Sequence, residues 1–112
     1  MVVFPPAALG LIRNMTDRLD GICLLITGAA SGIGAACARR MARDGARLLL
    51  ADLNGEGAKT LADELGQASV QADVTHAEDI QRMLDLAYQR WGRLDVLFNN
   101  AGIAEVRQQD RR

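Results

Sequence analysis

The stretch Thr27-Gly28-Ala29-Ala30-Ser31-Gly32-Ile33-Gly34 is where this 112-residue chain concentrates residues able to do chemistry. Three glycines in seven positions let the backbone turn tightly and let an oxyanion approach peptide N–H groups with no Cβ in the way. A helix starting at the last two glycines would leave its first amides without intrahelical acceptors, and its dipole would add roughly half a positive charge beside them. That combination suits a phosphate or diphosphate. A glycine cluster alone also fits a plain turn with a closely packed helix start, so context has to decide. Asp52, 18 residues beyond Gly34, supplies part of that context. A carboxylate there can accept hydrogen bonds from both hydroxyls of an adenosine ribose and repels a 2′-phosphate. No basic residue stands at Ala29 to Ser31 or at Leu53 to welcome such a phosphate. These residues favour NAD over NADP; the competing reading makes Asp52 a turn-forming acid in Asp52-Leu53-Asn54-Gly55.

The elements that must position these groups follow from two alternating periods. Ile22-Cys23-Leu24-Leu25-Ile26 and Leu48-Leu49-Leu50-Ala51 are continuous apolar runs, the pattern of parallel strands covered on both faces. Ser69-Val70-Gln71-Ala72-Asp73 alternates and is expected half exposed near a sheet edge, and Leu94 to Asn99 is a fourth strand. Helices separate the strands. Between Gly32 and Asp44, the apolar Ile33, Ala36, Cys37 and Met41 are expected on one face, with Gly45 as the stop. From Gly55 to Leu65, Ala58, Leu61, Ala62 and Leu65 point inward, and Gly66 terminates. Thr75 and Glu78 form the spacing of a capping box, followed by Ile80, Met83, Leu84, Ala87 and Trp91 on an inward stripe that ends at Gly92. The order βαβαβαβ with right-handed crossovers gives an α/β fold, a Rossmann-like three-layer αβα arrangement around a partial parallel sheet. Its expected strand order is 3-2-1-4. A crevice then opens at the carboxyl ends of strands 1 and 4, where such sheets bind ligands.

The chain resembles the short-chain dehydrogenase/reductase family. The glycine loop matches that family's Thr-Gly-x-x-x-Gly-x-Gly pattern, and Asn99-Asn100-Ala101-Gly102 matches its second signature. The similarity covers about Leu19 to Ile103, with Asp73-Val74 where the family contacts adenine. The resemblance implies a cofactor site built from Thr27, Gly28, Ser31, Gly32, Ile33, Gly34, Asp52, Leu53, Asp73, Val74, Asn99, Ala101 and Gly102. It implies that Asp73 bonds the adenine amino group through its side chain and Val74 through its backbone. Asn99, Ala101 and Gly102 would shape the crevice.

The family's reaction, hydride transfer between nicotinamide and an alcohol or carbonyl, uses a Tyr and a Lys four residues later with a substrate-orienting Ser. The only tyrosine here is Tyr88, the only lysine is Lys59, and position 92 is glycine. Ser31 and Ser69 lie in the glycine loop and on the third strand, so neither resembles the catalytic Ser. His76 reads as a solvated helix-start residue, Tyr88 and Trp91 as packing residues, and Asp95 as a turn or cap acid. No catalytic residue and no metal ligand is assigned. The expectation is the cofactor-binding half of an NAD-dependent oxidoreductase, inactive alone; the alternatives are a nucleotide-binding or interaction module without turnover and a non-functional gene remnant.

Thirteen basic against 14 acidic residues, a net charge of -1, produce no field that attracts nucleic acid or an anionic membrane. The apolar stretch from Met1 to Ile12 is broken by Pro5-Pro6, well short of the roughly 18 residues that cross a bilayer. It also lacks the basic start of a signal peptide. Residues 1–18 are expected to be a disordered extension with Met15 as an alternative start, residues 19–103 a truncated dinucleotide-binding domain, and residues 104–112 a polar tail. Cys23 and Cys37 show no metal-ligand spacing and fit reduced thiols in the cytoplasm. With the fourth strand at an edge, Val96, Leu97 and Phe98 are expected poorly protected, which favours self-association.

Overall fold

A computed structural model describes residues 18–100. All of the expected extension but Arg18, Met15 included, and the polar tail lie outside the described residues. Four parallel strands, β1 (Cys23–Thr27), β2 (Arg47–Asp52), β3 (Ala68–Gln71) and β4 (Val96–Asn99), alternate with three helices, α1 (Gly32–Arg43), α2 (Gly55–Leu65) and α3 (Ala77–Trp91). The sheet order is β3-β2-β1-β4, as expected, which sets β1 between β2 and β4 and β3 at an edge.

The apolar runs are continuous because both faces of the sheet are covered. Leu24, Ile26, Leu48, Leu50 and Val96 pack toward Ala38 of α1 and Leu61 and Ala62 of α2. Leu25, Leu49 and Ala51 pack the other way, toward Met83 and Ala87 of α3. The register that pairs Leu24 with Leu48 and Val96, and Leu25 with Leu49 and Leu97, keeps each set on its own side. Every residue of β1 is buried, and the Cys23 thiol donates to the Gly21 carbonyl at 3.9 Å; burial pushes its thiol pKa up.

The structure corrects several local expectations. Ile33 does not face the sheet: it is 70% exposed, while Gly34 and Ala38 are buried and Met41 and Ala42 pack against the core. A helix start pressed against the β1 turn needs its smallest residues there, and bulk at Ile33 misdirects the expected stripe. The Thr75–Glu78 capping box does not form. His76 is the N-cap of α3, without a side-chain cap bond, and the Thr75 hydroxyl donates instead to Asp73 Oδ1 at 2.6 Å. Ile80 and Tyr88 are exposed rather than packed, whereas Trp91 packs as expected. Val96 is buried, so of the three β4 side chains expected to be poorly protected it is Leu97, 41% exposed, that meets solvent most. β3 ends at Gln71, ahead of the expected Asp73, and its half-buried pattern fits an edge strand.

At the opposite end of the sheet from the glycine loop, Asp95 is more than a turn acid. Its Oδ2 accepts from the Cys23 amide at 2.9 Å and from Arg93 Nε at 3.1 Å, and Arg93 Nη2 donates to the Gly21 carbonyl at 2.7 Å. These bonds clamp the start of β1 to the start of β4.

Candidate cofactor-binding site

The glycine loop leaves β1 at Thr27, which is buried and whose hydroxyl donates to Asn99 Oδ1 across the β1–β4 pair at 2.8 Å. Gly28 and Gly32 both adopt positive φ, at 66° and 59°, where a side chain would be strained. A Cβ built on Gly34 would lie 2.0 Å from the Gly28 carbonyl oxygen, so the helix start and the loop touch backbone to backbone. Asn100 completes this contact by donating from Nδ2 to the same carbonyl at 3.2 Å. The three glycines therefore have separate duties: two turn the chain and one permits close approach.

The result is a helix N-terminus open to an anion. Ser31 is the N-cap in extended conformation without a side-chain cap bond, and the first turn of α1 carries no acid. The amides of Gly32, Ile33 and Gly34 are thus among those an α-helix leaves without internal partners, and no local negative charge competes for them. At Gly32 an added Cβ would meet nothing within 4 Å, so space exists beside these donors. A diphosphate fits this donor set.

Asp52 closes the adjoining side. Its Oδ2 accepts from the Ala30 amide at 2.9 Å and its Oδ1 from the Asn54 amide at 2.8 Å, while the Ala29 amide reaches the Ala51 carbonyl at 3.1 Å. The acid therefore grips the glycine loop and starts the turn into α2; each oxygen keeps a further lone pair for a ligand hydroxyl. The turn-forming reading of Asp52 is thus seen directly in its bond from the Asn54 amide.

A cavity of about 200 Å³ lies at this end of the sheet, between Gly28, Asp52 with Leu53, and Asp73 with Val74. It is smaller than the roughly 300–1,000 Å³ usual for whole ligand sites, so it suits one portion of an extended ligand. Asp73 is held from three sides. Its Oδ1 accepts from the Thr75 amide and hydroxyl, its amide donates to Asp79 Oδ2 at 2.8 Å, and His76 Nδ1 stands 3.4 Å from Oδ2. The Thr75 hydroxyl bond, reinforced by the Thr75 amide, keeps the Asp73 carboxyl below the usual carboxylate range. The Asp73 amide does the same for Asp79, with help from Arg82. A larger, open concavity of about 790 Å³ along α3, bordered by Val70, Glu78, Gln81, Arg82, Asp85 and Leu86, shares none of these residues, and the acids Glu78 and Asp85 on its wall disfavour an anion.

Of the residues expected to form the site, Thr27 ends β1, Gly28 and Ser31 lie in the β1–α1 turn, Gly32, Ile33 and Gly34 begin α1, Asp52 ends β2 with Leu53 just after it, Asp73 and Val74 follow β3, and Asn99 ends β4. Gly28, Asp52, Leu53, Asp73 and Val74 share one cavity; Ala101 and Gly102 lie outside the described residues. Two participants escape sequence reasoning. Ala30 presents its amide to Asp52, which no side-chain pattern reveals, and Asn100 sits inside the quoted Asn-Asn-Ala-Gly signature without an assigned role.

The model of the short chain dehydrogenase family matches residues 23–111. The chain belongs to this family. Among curated relatives, a mitochondrial borneol dehydrogenase from Lavandula x intermedia is 44% identical over 94 residues, covering 84% of this chain and 36% of that protein. A D-threitol dehydrogenase from Mycolicibacterium smegmatis is 46% identical, covering 80% of this chain and 36% of that protein. A Brucella melitensis 3-ketoacyl-(acyl-carrier-protein) reductase solved with NADH superposes with a TM-score of 0.69 at 34% identity, over 70% of this chain and 33% of that one. The chain thus spans about a third of the length of the relatives it matches. The Rossmann-like fold of the chain is that of these neighbours.

Proposed function

We propose that the chain binds NAD in preference to NADP and forms the cofactor-binding part of an oxidoreductase that moves hydride between nicotinamide and an alcohol or carbonyl compound. The observation that carries this reading is Asp52, whose carboxylate is anchored to the Ala30 and Asn54 amides beside the cavity, with Leu53 and Ala30 rather than a cation next to it. A 2′-phosphate there would meet a fixed negative charge. The amides of Gly32, Ile33 and Gly34 take the diphosphate, Thr27, Gly28 and Ser31 shape the loop, Asp52 and Leu53 hold the adenosine ribose, and Asp73 and Val74 receive adenine. Asn99, with Ala101 and Gly102, borders the nicotinamide side. When bound, the cofactor supplies the hydride acceptor; the chain's own residues bind and orient it. Relatives named for borneol and D-threitol make small alcohols the first substrate class to try.

Calorimetric titration with NAD and NADP tests the reading: NAD should bind at least about tenfold more tightly, the worth of roughly 1.4 kcal/mol. Equal affinity, or a preference for NADP, refutes it.

A second reading, a dinucleotide-binding module without turnover, is favoured by the lone Tyr88, exposed on α3, with glycine four residues on and Lys59 far before it in sequence. Oxidation of an alcohol panel by this chain would refute that reading. Both readings include a reducing compartment such as the cytoplasm, in keeping with two free cysteines, and self-association through β4 where Leu97 is exposed. Among the described residues no helix is long and apolar enough to cross a membrane.

A further inference from the structure

We infer that Asp79 and Arg82, on the first turns of α3, are positioning residues for the adenine end of the cavity. They hold Asp73 where the amino group of the base reaches its carboxylate, and so set the preference for an amino-bearing purine without touching the ligand. This inference rests on the reading of Asp73 as the residue that receives the adenine amino group.

Asp73 lies just beyond the reach of the sheet. β3 ends at Gln71, and the Ala72 amide still bonds the Asp52 carbonyl at 3.0 Å. The next amide, that of Asp73, donates instead to Asp79 Oδ2 at 2.8 Å, so α3 takes over from β2 at a residue that lines the cavity. Thr75 orients the Asp73 carboxylate through its amide and hydroxyl, and the Asp73 carbonyl accepts from the His76 amide at 3.0 Å. Those bonds shape the turn from 73 to 76 but do not fix it relative to the sheet. The bond to Asp79 does, because α3 is packed on the sheet through Met83 and Ala87. Arg82 sets the carboxylate in turn: its Nη2 donates to the Gln71 carbonyl at 2.8 Å and lies 3.2 Å from Asp79 Oδ1. Gln71 carries the tie to the opposite side, its Nε2 donating to the carbonyl of Leu53, which lines the same cavity, at 3.1 Å. One guanidinium thus references both the Leu53 side and the Asp73 side of the cavity to α3.

An N–H to O bond is sound at about 2.7–3.2 Å and is no longer one at about 3.6 Å, so a drift of Asp73 by roughly 0.5–1 Å deprives the amino group of its acceptor. The rest of the site is secured elsewhere. Asp52 is held by the Ala30 and Asn54 amides, and the amides of Gly32 to Gly34 belong to α1, so the effect of Asp79 and Arg82 is confined to the base. Arg82 is the more exposed of the two, with half of its side chain in solvent against a quarter of that of Asp79, and its removal costs less.

The test compares NAD with deamino-NAD, in which a 6-oxo group replaces the adenine amino donor, by calorimetry on the full 112-residue chain and its variants. The two dinucleotides carry the same charge, so the loss of an acid near the cavity cancels in the ratio of their affinities. The parent should prefer NAD by about tenfold, the worth of a bond to a charged acceptor. Asp79→Ala should cut that preference by about threefold or more while deamino-NAD binds within about twofold of the parent, and Arg82→Gln should cut it by about twofold. Glu78→Ala removes an exposed acid from the same turn of α3 and should leave the preference unchanged. If Asp79→Ala does not fold, Arg82→Gln, at a half-exposed side chain, decides alone. An unchanged ratio in the deciding variant, equal weakening of both dinucleotides, or an equal fall in Glu78→Ala overturns the positioning role and leaves Asp73 as the adenine acceptor. Equal affinity of the parent for the two dinucleotides overturns the Asp73 reading itself, and this inference with it.

Discussion

Replacing Gly34 by alanine sets two opposed effects against each other, and their sizes decide the outcome. In a helix, alanine is favoured over glycine by about 1 kcal/mol, and less near an end. Against this, the new Cβ would lie 2.0 Å from the Gly28 carbonyl oxygen and 3.0 Å from Asn100 Nδ2, where ordinary contact begins near 3.4 Å. The neighbour at fault is backbone, so the loop and the helix start must part by more than an ångström. That motion strains the 3.2 Å bond from Asn100 to Gly28 and the 2.9 Å bond from the Ala30 amide to Asp52. Overpacking of this kind costs about 1–3 kcal/mol. A neutral hydrogen bond adds about 1 kcal/mol and one to a carboxylate about 1.5–3 if lost outright. The net expectation is a loss of about 2–4 kcal/mol, a large share of the 5–15 kcal/mol that holds an ordinary domain together. Urea unfolding followed by far-ultraviolet circular dichroism reads this as a midpoint lowered by at least about 1 M, with a slope of about 1–2 kcal/mol per molar. Gly92→Ala is the internal control. Gly92 ends α3 at φ 72° with nothing within 4 Å of an added Cβ, so only the left-handed backbone penalises alanine, by about 1–2 kcal/mol. If Gly34→Ala is as stable as the parent, or gains the 1 kcal/mol of helix propensity, the close approach of α1 to the loop is wrong.

Three further outcomes follow from the same geometry. Asp52→Ala should weaken NAD by about tenfold or more, because bonds to a charged acceptor are worth about 1.5–3 kcal/mol. NADP should lose less, and not gain outright, because the Ala30 amide also loses its partner; an unchanged NAD to NADP ratio in calorimetry contradicts the ribose role. Asp73 titrates below the usual carboxylate range when folded, so the stability it contributes is present above its unfolded pKa and is lost as pH falls through and below that range. Thr75→Val, which removes the hydroxyl bond, should raise the Asp73 pKa toward its ordinary value by NMR titration; no change would show that the bond at 2.6 Å has been misread. Leu97→Lys should reduce self-association in sedimentation velocity, since Leu97 is 41% exposed on β4, and an undiminished oligomer places the contact elsewhere.

The sheet was legible because its signal is long and redundant. Strands such as Leu48 to Ala51 are apolar on both faces, the pattern of a doubly covered parallel sheet, and alternation with helices marks the crossovers that such a sheet needs. Helix faces were less legible where side chains are small. Ala35, Ala36 and Ala38 differ little in hydrophobicity, so Ile33 dominated the expected stripe although backbone contact at Gly34 decides the rotation of α1. The Thr75 hydroxyl had two partners within reach, the helix amides and Asp73, and spacing alone could not choose between them. At the site, the glycine loop and Asp52 stand out as types, but their bond does not: it joins the Ala30 amide to a carboxylate 22 residues away, through a group every residue possesses. Asn100 was hidden for a related reason, since its bond to Gly28 spans 72 positions.

The central claim is that the first amides of α1 and the carboxylate of Asp52 hold one dinucleotide between them. Titrating the isotope-labelled chain with NAD while following its amide resonances tests this most directly. The account predicts that Gly32, Ile33 and Gly34 shift together with Ala30, Leu53 and Val74, at a common dissociation constant. Shifts confined to the outer surface of α3 around Gln81 and Leu86, with the glycine loop unmoved, would contradict it.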